Sequence, residues 1–202
     1  MDDRSMQTGQ TRADVFRETR ETRIRVGLDL RGHGECEIRT GLGSADHMLT
    51  LLGFWAGWDV TIQAEGDLEV DGHHTLEDIG LTLGEALRKA LGDKRAITRV
   101  GWAKVPMDEA LSEVIVDLSG RPYLVYNDRV LPAVLFGEEK DVWREFFKSL
   151  AFKAGMNLHI DFVYGLNGHH LMESAFKALG LSLKQALTPQ DQGVFSTKGS
   201  LD

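Results

Sequence analysis

Between Thr22 and Leu30 apolar and polar side chains alternate, with Ile24, Val26, Leu28 and Leu30 on one side. A period of two predicts a half-buried strand, and Arg31-Gly32-His33-Gly34 supplies the turn that ends it. A short return strand is expected over 36–39. Ser44 can cap a helix that carries His47, Met48, Leu49, Leu51, Leu52 and Trp55, and Gly57 closes it. Alternation returns over 58–63. Asp71-Gly72 then opens a helix over 73–91 whose apolar stripe is Ile79, Leu83, Leu87 and Ala90, stopped by Gly92-Asp93. The rest of the chain follows a similar order. Strands are expected near 99–104, 113–118 and 123–127, a helix over 140–154, a strand over 157–163, and a helix from Asn167-Gly168 to about Leu187.

The two stretches can be laid on each other. With His73 on His169, no gap is needed from His73 to Leu91. The matches are His73/His169, His74/His170, Glu77/Glu173, Leu83/Leu179, Gly84/Gly180, Leu87/Leu183, Ala90/Ala186 and Leu91/Leu187. Ala56-Gly57 falls on Ala154-Gly155 once two residues of the connecting loop are skipped, which sets His47 opposite Glu145. Leucines can coincide by chance; both histidines and the glutamate in register point to a duplicated unit. The expected half-repeats are 1–95 and 96–202.

Composition narrows the picture. With 42% hydrophobic residues in 202, the chain has material for one large domain or two fused half-domains. A formal net charge of −8 speaks against a broad electrostatic surface for nucleic acid or anionic membrane, although a few local Arg and Lys can hold a small anion. Cys36 is the only cysteine, which excludes an internal disulfide and a thiolate metal cluster within one chain. It is expected as a small core or strand residue. No run of 18 apolar residues is present to span a membrane. The polar residues 1–11 lack the apolar stretch of a signal peptide, so a cytoplasmic location is expected. After Pro189 the chain is rich in Gly, Ser, Thr and Gln, and composition alone predicts disorder there.

The repeated element is His-His-x-x-Glu. On a helix, residues four apart share a face, one turn of about 5.4 Å apart. His73 with Glu77, and His169 with Glu173, can each grip one ion. His74 and His170 point roughly 100° away and would reach a different ion. His47 and Glu145 can complete the shells. The division of ligands among ions stays open, and some pairs would meet only across subunits. Imidazole and carboxylate without sulfur suit manganese, zinc, iron or cobalt, and several carboxylates favour six-coordinate manganese over closed tetrahedral zinc. One such pair is commonly an ordinary i,i+4 contact; two copies in register favour metal. The spacing is not the His-Glu-x-x-His of metalloproteases.

At these residues the sequence resembles imidazoleglycerol-phosphate dehydratase. The resemblance is carried by Arg20-Glu21-Thr22, Ala45-Asp46-His47-Met48-Leu49, Gly72-His73-His74-Thr75-Leu76-Glu77-Asp78, Pro106-Met107-Asp108-Glu109-Ala110-Leu111, Asp117-Leu118-Ser119-Gly120-Arg121-Pro122, Gly168-His169-His170-Leu171-Met172-Glu173 and Ser196-Thr197-Lys198-Gly199. It implies an α+β fold: two similar βα half-domains from an internal repeat, with helices packed between two antiparallel sheets. It implies a hydro-lyase of histidine biosynthesis that converts imidazole glycerol phosphate to imidazole acetol phosphate through a metal-bound imidazolate and a carboxylate base. Two manganese ions per active site would act as Lewis acids and template. Their ligands would be His47, His73, His74, Glu77, Glu145, His169, His170 and Glu173. Glu21 would be the base that contacts substrate. Arg99, Arg121, Ser196 and Lys198 would hold the phosphate, the last two from a substrate-binding tail. The implied partners are the small phosphorylated imidazole and further copies of the chain, a hollow particle of about 24 subunits built from trimers with metal at subunit contacts.

The sequence departs from the family pattern at Glu145, where many members have His, and at Thr50, Leu51 and Trp55, which stand where many have Asp, Gln and His. His33 belongs to a turn, and His159 is expected to be structural or to support a ligand. Two other functions use the same ligands: a two-metal hydrolase, which gives Glu21 no task, and a non-catalytic assembly in which ions only join subunits.

Overall fold

In a computed structural model, residues 11–191 and 193–199 are described. The chain builds β1 (Arg12–Glu18), β2 (Thr22–Asp29), β3 (Cys36–Arg39), α1 (Gly43–Ala56), β4 (Asp59–Gly66) and α2 (His73–Leu91). It then repeats the series as β5 (Val100–Met107), β6 (Ala110–Asp117), β7 (Tyr123–Asn127), α3 (Lys140–Ala154), β10 (Asn157–Tyr164) and α4 (Gly168–Ala186). A short hairpin of β8 (Val134–Leu135) and β9 (Glu138–Glu139) is inserted before α3. The sheets have matching orders, β1-β2-β4-β3 and β5-β6-β10-β7. This is an α+β fold of two similar half-domains.

Each of these antiparallel-rich sheets holds one parallel pair. β3 runs parallel to β4, and β7 parallel to β10. Each pair is joined through a helix, α1 or α3, and such a crossover brings the chain back in the same direction. One correction concerns the start of α1. Ser44 does not cap it; the N-cap is Leu42, and no side chain caps the first turn. Asp46 instead accepts from the Thr40 amide and hydroxyl at 2.8 and 2.7 Å, fastening α1 to the end of β3.

The four helices lie between the sheets, each sheet packing the two helices of its own half, and the halves meet helix on helix. α2 packs on β1 and β2 and against α3; α4 packs on β5 and β6 and against α1. Gly84 and Gly180 show how closely these crossings correspond. A Cβ at Gly84 would lie 2.7 Å from the Leu150 carbonyl oxygen, and one at Gly180 would lie 2.9 Å from the Leu52 carbonyl oxygen. Leu52 and Leu150 occupy the same repeat position, so the two contacts are one contact made twice. α1 and α3 also end alike, on the left-handed Gly57 and Gly155.

The core differs between the crossings. Trp143, Phe146 and Phe147 of α3 gather around Phe176 of α4, all fully buried, while the matching α1 positions are Ala45, Met48 and Leu49. The described part of the tail is paired rather than loose. Pro189 bridges Ile97, the Ala96 amide donates to the Gly193 carbonyl at 2.9 Å, and Arg99 donates to the Phe195 carbonyl at 3.0 Å. Among the described residues no helix is long and apolar enough to cross a membrane.

Candidate metal centre

The N-terminal turns of α2 and α4 carry the repeated motif, and their caps match. Asp71 accepts from the His73 amide at 2.8 Å and Asn167 from the His169 amide at 2.9 Å. A fixed first turn aims the histidines.

In the second half the donors converge. His47 Nε2 stands 3.4 Å and His169 Nε2 3.3 Å from Glu173 Oε2. The three donor atoms lie within 4.8 Å of one another, and the two rings stack with centroids 5.5 Å apart. Both histidines are exposed and Glu173 is buried. Burial pushes the Glu173 carboxyl up, but Lys177, whose Nζ lies 2.6 Å from Oε1, and the nearby His47 outweigh it and hold it below the usual range. Lys177 thus occupies one oxygen and leaves the other to the histidines. Its ammonium also lies 5.9 Å from the Trp55 ring centre.

The first half is more open. His73 Nε2 and Glu77 Oε2 are 3.6 Å apart. Glu145, expected to complete this shell, turns to Lys148 at 2.7 Å. Lys148 follows it by one helical turn and competes for the carboxylate. Among the described residues, His47, His169 and Glu173 form the one group with three donors in reach.

His74 and His170 face elsewhere, as their spacing implies. The rings of His73 and His74 meet at 78°, and those of His169 and His170 at 87°. His74 Nδ1 lies 2.9 Å from Asp67 Oδ2, and His170 Nδ1 lies 2.7 Å from Glu109 Oε2. The Asp67 bond, opposed by desolvation and assisted by nearby Glu21, raises the His74 pKa. The Glu109 bond does the same for His170, and Glu109 itself is held down at about 2, by His170 first and then by the Asn167 amide.

Glu21 sits exposed in the β1–β2 turn, in a surface hollow of about 400 Å³ that it shares with Thr19, Asp67 and Glu69. Its carbonyl accepts from the Asp67 amide at 3.2 Å. A larger hollow of about 520 Å³, beside Cys36 and Asp59, is lined by none of the expected site residues.

The expected phosphate group lies at the other end of the second sheet. Arg99 grips Asp117 with Nε and Nη2 at 2.6 and 2.8 Å, and its Nη1 holds the carbonyl preceding Ser196. The Lys198 amide donates to Ser196 Oγ at 3.2 Å. Arg121 is exposed in the loop after β6, its carbonyl held by Asn157. His159 points out of this sheet, exposed, with Ile115 and Val125 as its register partners. His33 lies in its turn, its amide bonded to Asp59. Cys36 opens β3, half-buried, with its thiol pushed up by burial.

Sequence reasoning missed Lys177, Asp67 and Glu109. Lys177 was legible as the residue one turn after Glu173. Asp67 and Glu109 depend on how strands and helices meet and leave no periodic trace.

A duplicated α+β chain with histidine and carboxylate donors at paired helix ends is a protein of two similar half-domains with a site that fits a metal ion. The family model for imidazoleglycerol-phosphate dehydratase matches residues 40–183. The dehydratase of Maridesulfovibrio salexigens is 63% identical over 193 residues, 96% of this chain and 99% of that one. That of Solidesulfovibrio magneticus is 64% identical over 187 residues, 92% and 95% of the two chains. The crystal structure of the dehydratase from Pyrococcus furiosus in complex with (S)-C348 has a TM-score of 0.81 at 41% identity, covering 93% of this chain and 100% of that one. The Staphylococcus aureus structure gives 0.79 at 35% identity, covering 89% and 99%. The chain belongs to the imidazoleglycerol-phosphate dehydratase family, a family of hydro-lyases.

Proposed function

We propose that this chain dehydrates imidazole glycerol phosphate to imidazole acetol phosphate in histidine biosynthesis, as a cytoplasmic manganese enzyme with two ions per active site. The observation that carries this is the convergence of His47, His169 and Glu173. Two imidazole nitrogens and one carboxylate oxygen, with a lysine balancing the second oxygen, fit a divalent ion of the manganese–zinc range. His73, Glu77 and Glu145 would hold the equivalent ion of the first half, with His74 and His170 completing shells. A bound ion supplies Lewis acidity that favours the imidazolate form of the substrate ring. Glu21, exposed beside His74, takes the proton from the carbon next to the departing hydroxyl. Arg99, Arg121, Ser196 and Lys198 hold the phosphate.

Geometry supports more than one subunit per site. The motif histidines of α4 lie beside the β5–β6 turn, and the phosphate group lies at the opposite end of the same strands. β6 has 8 residues. At about 3.4 Å each, the ends stand roughly 27 Å apart. One small substrate cannot touch both ends, which supports a site shared between copies, and we propose a particle of about 24 subunits built from trimers. The half-repeats divide at residue 95, between the end of α2 and the start of β5.

The test is a turnover assay on purified full-length chain with manganese, with metal analysis of the same sample. Dehydration with metal bound is the expected result. Intact particles that turn over no substrate with any divalent ion would sink the enzyme assignment. Chelation should shrink the particle, and an unchanged size would count against bridging metals.

A further inference from the structure

In both half-repeats the second histidine of the motif has its Nδ1 against a carboxylate, but the two carboxylates come from different places. Asp67 follows β4; Glu109 stands in the β5–β6 turn. The hairpins fix the correspondence. Glu18 pairs with Arg23 in the first, Pro106 with Leu111 in the second, so turns 19–22 and 107–110 have equal length. Glu21 therefore falls on Glu109. In the second half the loop before α4 is the short Gly165-Leu166-Asn167, with no acid, so the carboxylate at Nδ1 comes from the β5–β6 turn, where Glu109 lies at Nδ1 and Asp108 stands 3.9 Å from Nε2. A Cβ at Gly165 would already lie 2.8 Å from Ala110 Cβ and Leu171 Cδ2.

We propose that Glu109 and Asp67 are positioning residues. Each holds Nδ1–H of His170 or His74, so that Nε2 keeps its lone pair outward for a divalent ion, and Asp67 thereby leaves Glu21 free for substrate. The inference rests on the assignment of both histidines as metal ligands. Carboxylates that orient ligating histidines in this way fix the tautomer and the ring plane. The two devices differ in strength. Glu109 Oε1 accepts from the Leu166 and Asn167 amides at 3.2 and 2.8 Å, so only an oxygen can stand there. In Glu109→Gln the amide nitrogen must face His170, which forces the proton onto Nε2 and blocks the metal-binding lone pair. Asp67 Oδ1 is buried without a partner, so in Asp67→Asn the amide can turn its oxygen to His74.

The experiment is Mn²⁺ binding to the full-length chain, by competition with a chelating dye. Glu109→Gln should weaken affinity about 10–100-fold. Asp67→Asn should shift it the same way by less, and Glu21→Gln should leave it unchanged while turnover is lost. Raised Mn²⁺ should restore turnover to Glu109→Gln, and in a His170→Ala background Glu109→Gln should weaken binding no further. Wild-type affinity in both Glu109→Gln and Asp67→Asn would overturn the proposal. So would an undiminished effect of Glu109→Gln without His170, or an affinity loss in Glu21→Gln equal to that in Asp67→Asn. If Glu109→Gln does not fold, Asp67→Asn against Glu21→Gln decides. A wild-type chain that binds Mn²⁺ and dehydrates nothing refutes the proposed function, and the affinity comparisons still decide the roles of Glu109 and Asp67.

Discussion

In the second half His47, His169 and Glu173 stand within 4.8 Å of one another, whereas in the first Glu145 bonds Lys148 and His73 faces Glu77 with no third donor in reach among the described residues. Backbone does not explain the difference, since the helices are capped alike and cross at the same glycine. Two substitutions within the repeat do. Glu145 replaces the histidine that α1 offers. The charge-balancing lysine also sits on different helices, Lys177 beside the motif glutamate on α4 and Lys148 beside Glu145 on α3. A duplicated scaffold sets where donors point, and the lysine beside each carboxylate decides which are free.

The comparison can be broken in several ways. Exchanging the matched turn acids should have the largest effect and should separate them. Glu21→Gln is expected to lower kcat by about 10²–10⁴-fold with metal content intact. A loss of bound metal in that variant would give Glu21 the task assigned to Glu109. Next come the glycines. Gly84→Val and Gly180→Val should each destabilise by about 1–3 kcal/mol, read as a fall in denaturation midpoint, because both would press on a facing helix backbone. A clear difference between the two would mean that the crossings are not equivalent. Glu145→His should tighten Mn²⁺ binding severalfold, and His47→Glu, which sets a carboxylate beside Glu173, should weaken it. Equal affinities in both would show that repeat position does not govern the shell.

The smallest effect concerns a surface carboxylate. Asp59 accepts from the amides of His33 and Glu35 at 2.7 and 3.0 Å, and these bonds hold it below the usual range. Its counterpart is Asn157, which cannot titrate. A depressed carboxylate stabilises the fold above its unfolded pKa, and this is lost as pH falls through the lower folded value. Asp59→Asn should therefore be less stable than wild type at neutral pH, with the gap closing below about pH 4. Denaturant titrations across pH test this, and a gap constant with pH would mean the bonds depend on shape rather than charge.

Much of this was legible in the residues. The helices showed a period of 3.6, and the repeat showed itself because both motif copies survive intact. What was hidden is physically of one kind. β1 buries only Ala13 and Val15 and leaves Phe16 half exposed, too little alternation to announce an edge strand. The parallel pairs follow from the path of the chain through a helix, and the carboxylates at 67 and 109 from the meeting of distant segments. The tail looked loose by composition because residues 96–99 hold it mainly through its backbone carbonyls and amides, which leave no pattern in its side chains. Glu145 was matched correctly to His47 in the repeat. Its engagement by Lys148 depends on a local competition that matching does not weigh.

The distance between the two ends of the second sheet has a genetic consequence. If each site borrows its metal from one subunit and its phosphate grip from another, a lesion at either end can be complemented. A copy crippled at His169 and a copy crippled at Arg121, each dead alone, would form some intact sites when co-assembled. Two defective alleles could then sustain growth that neither supports by itself.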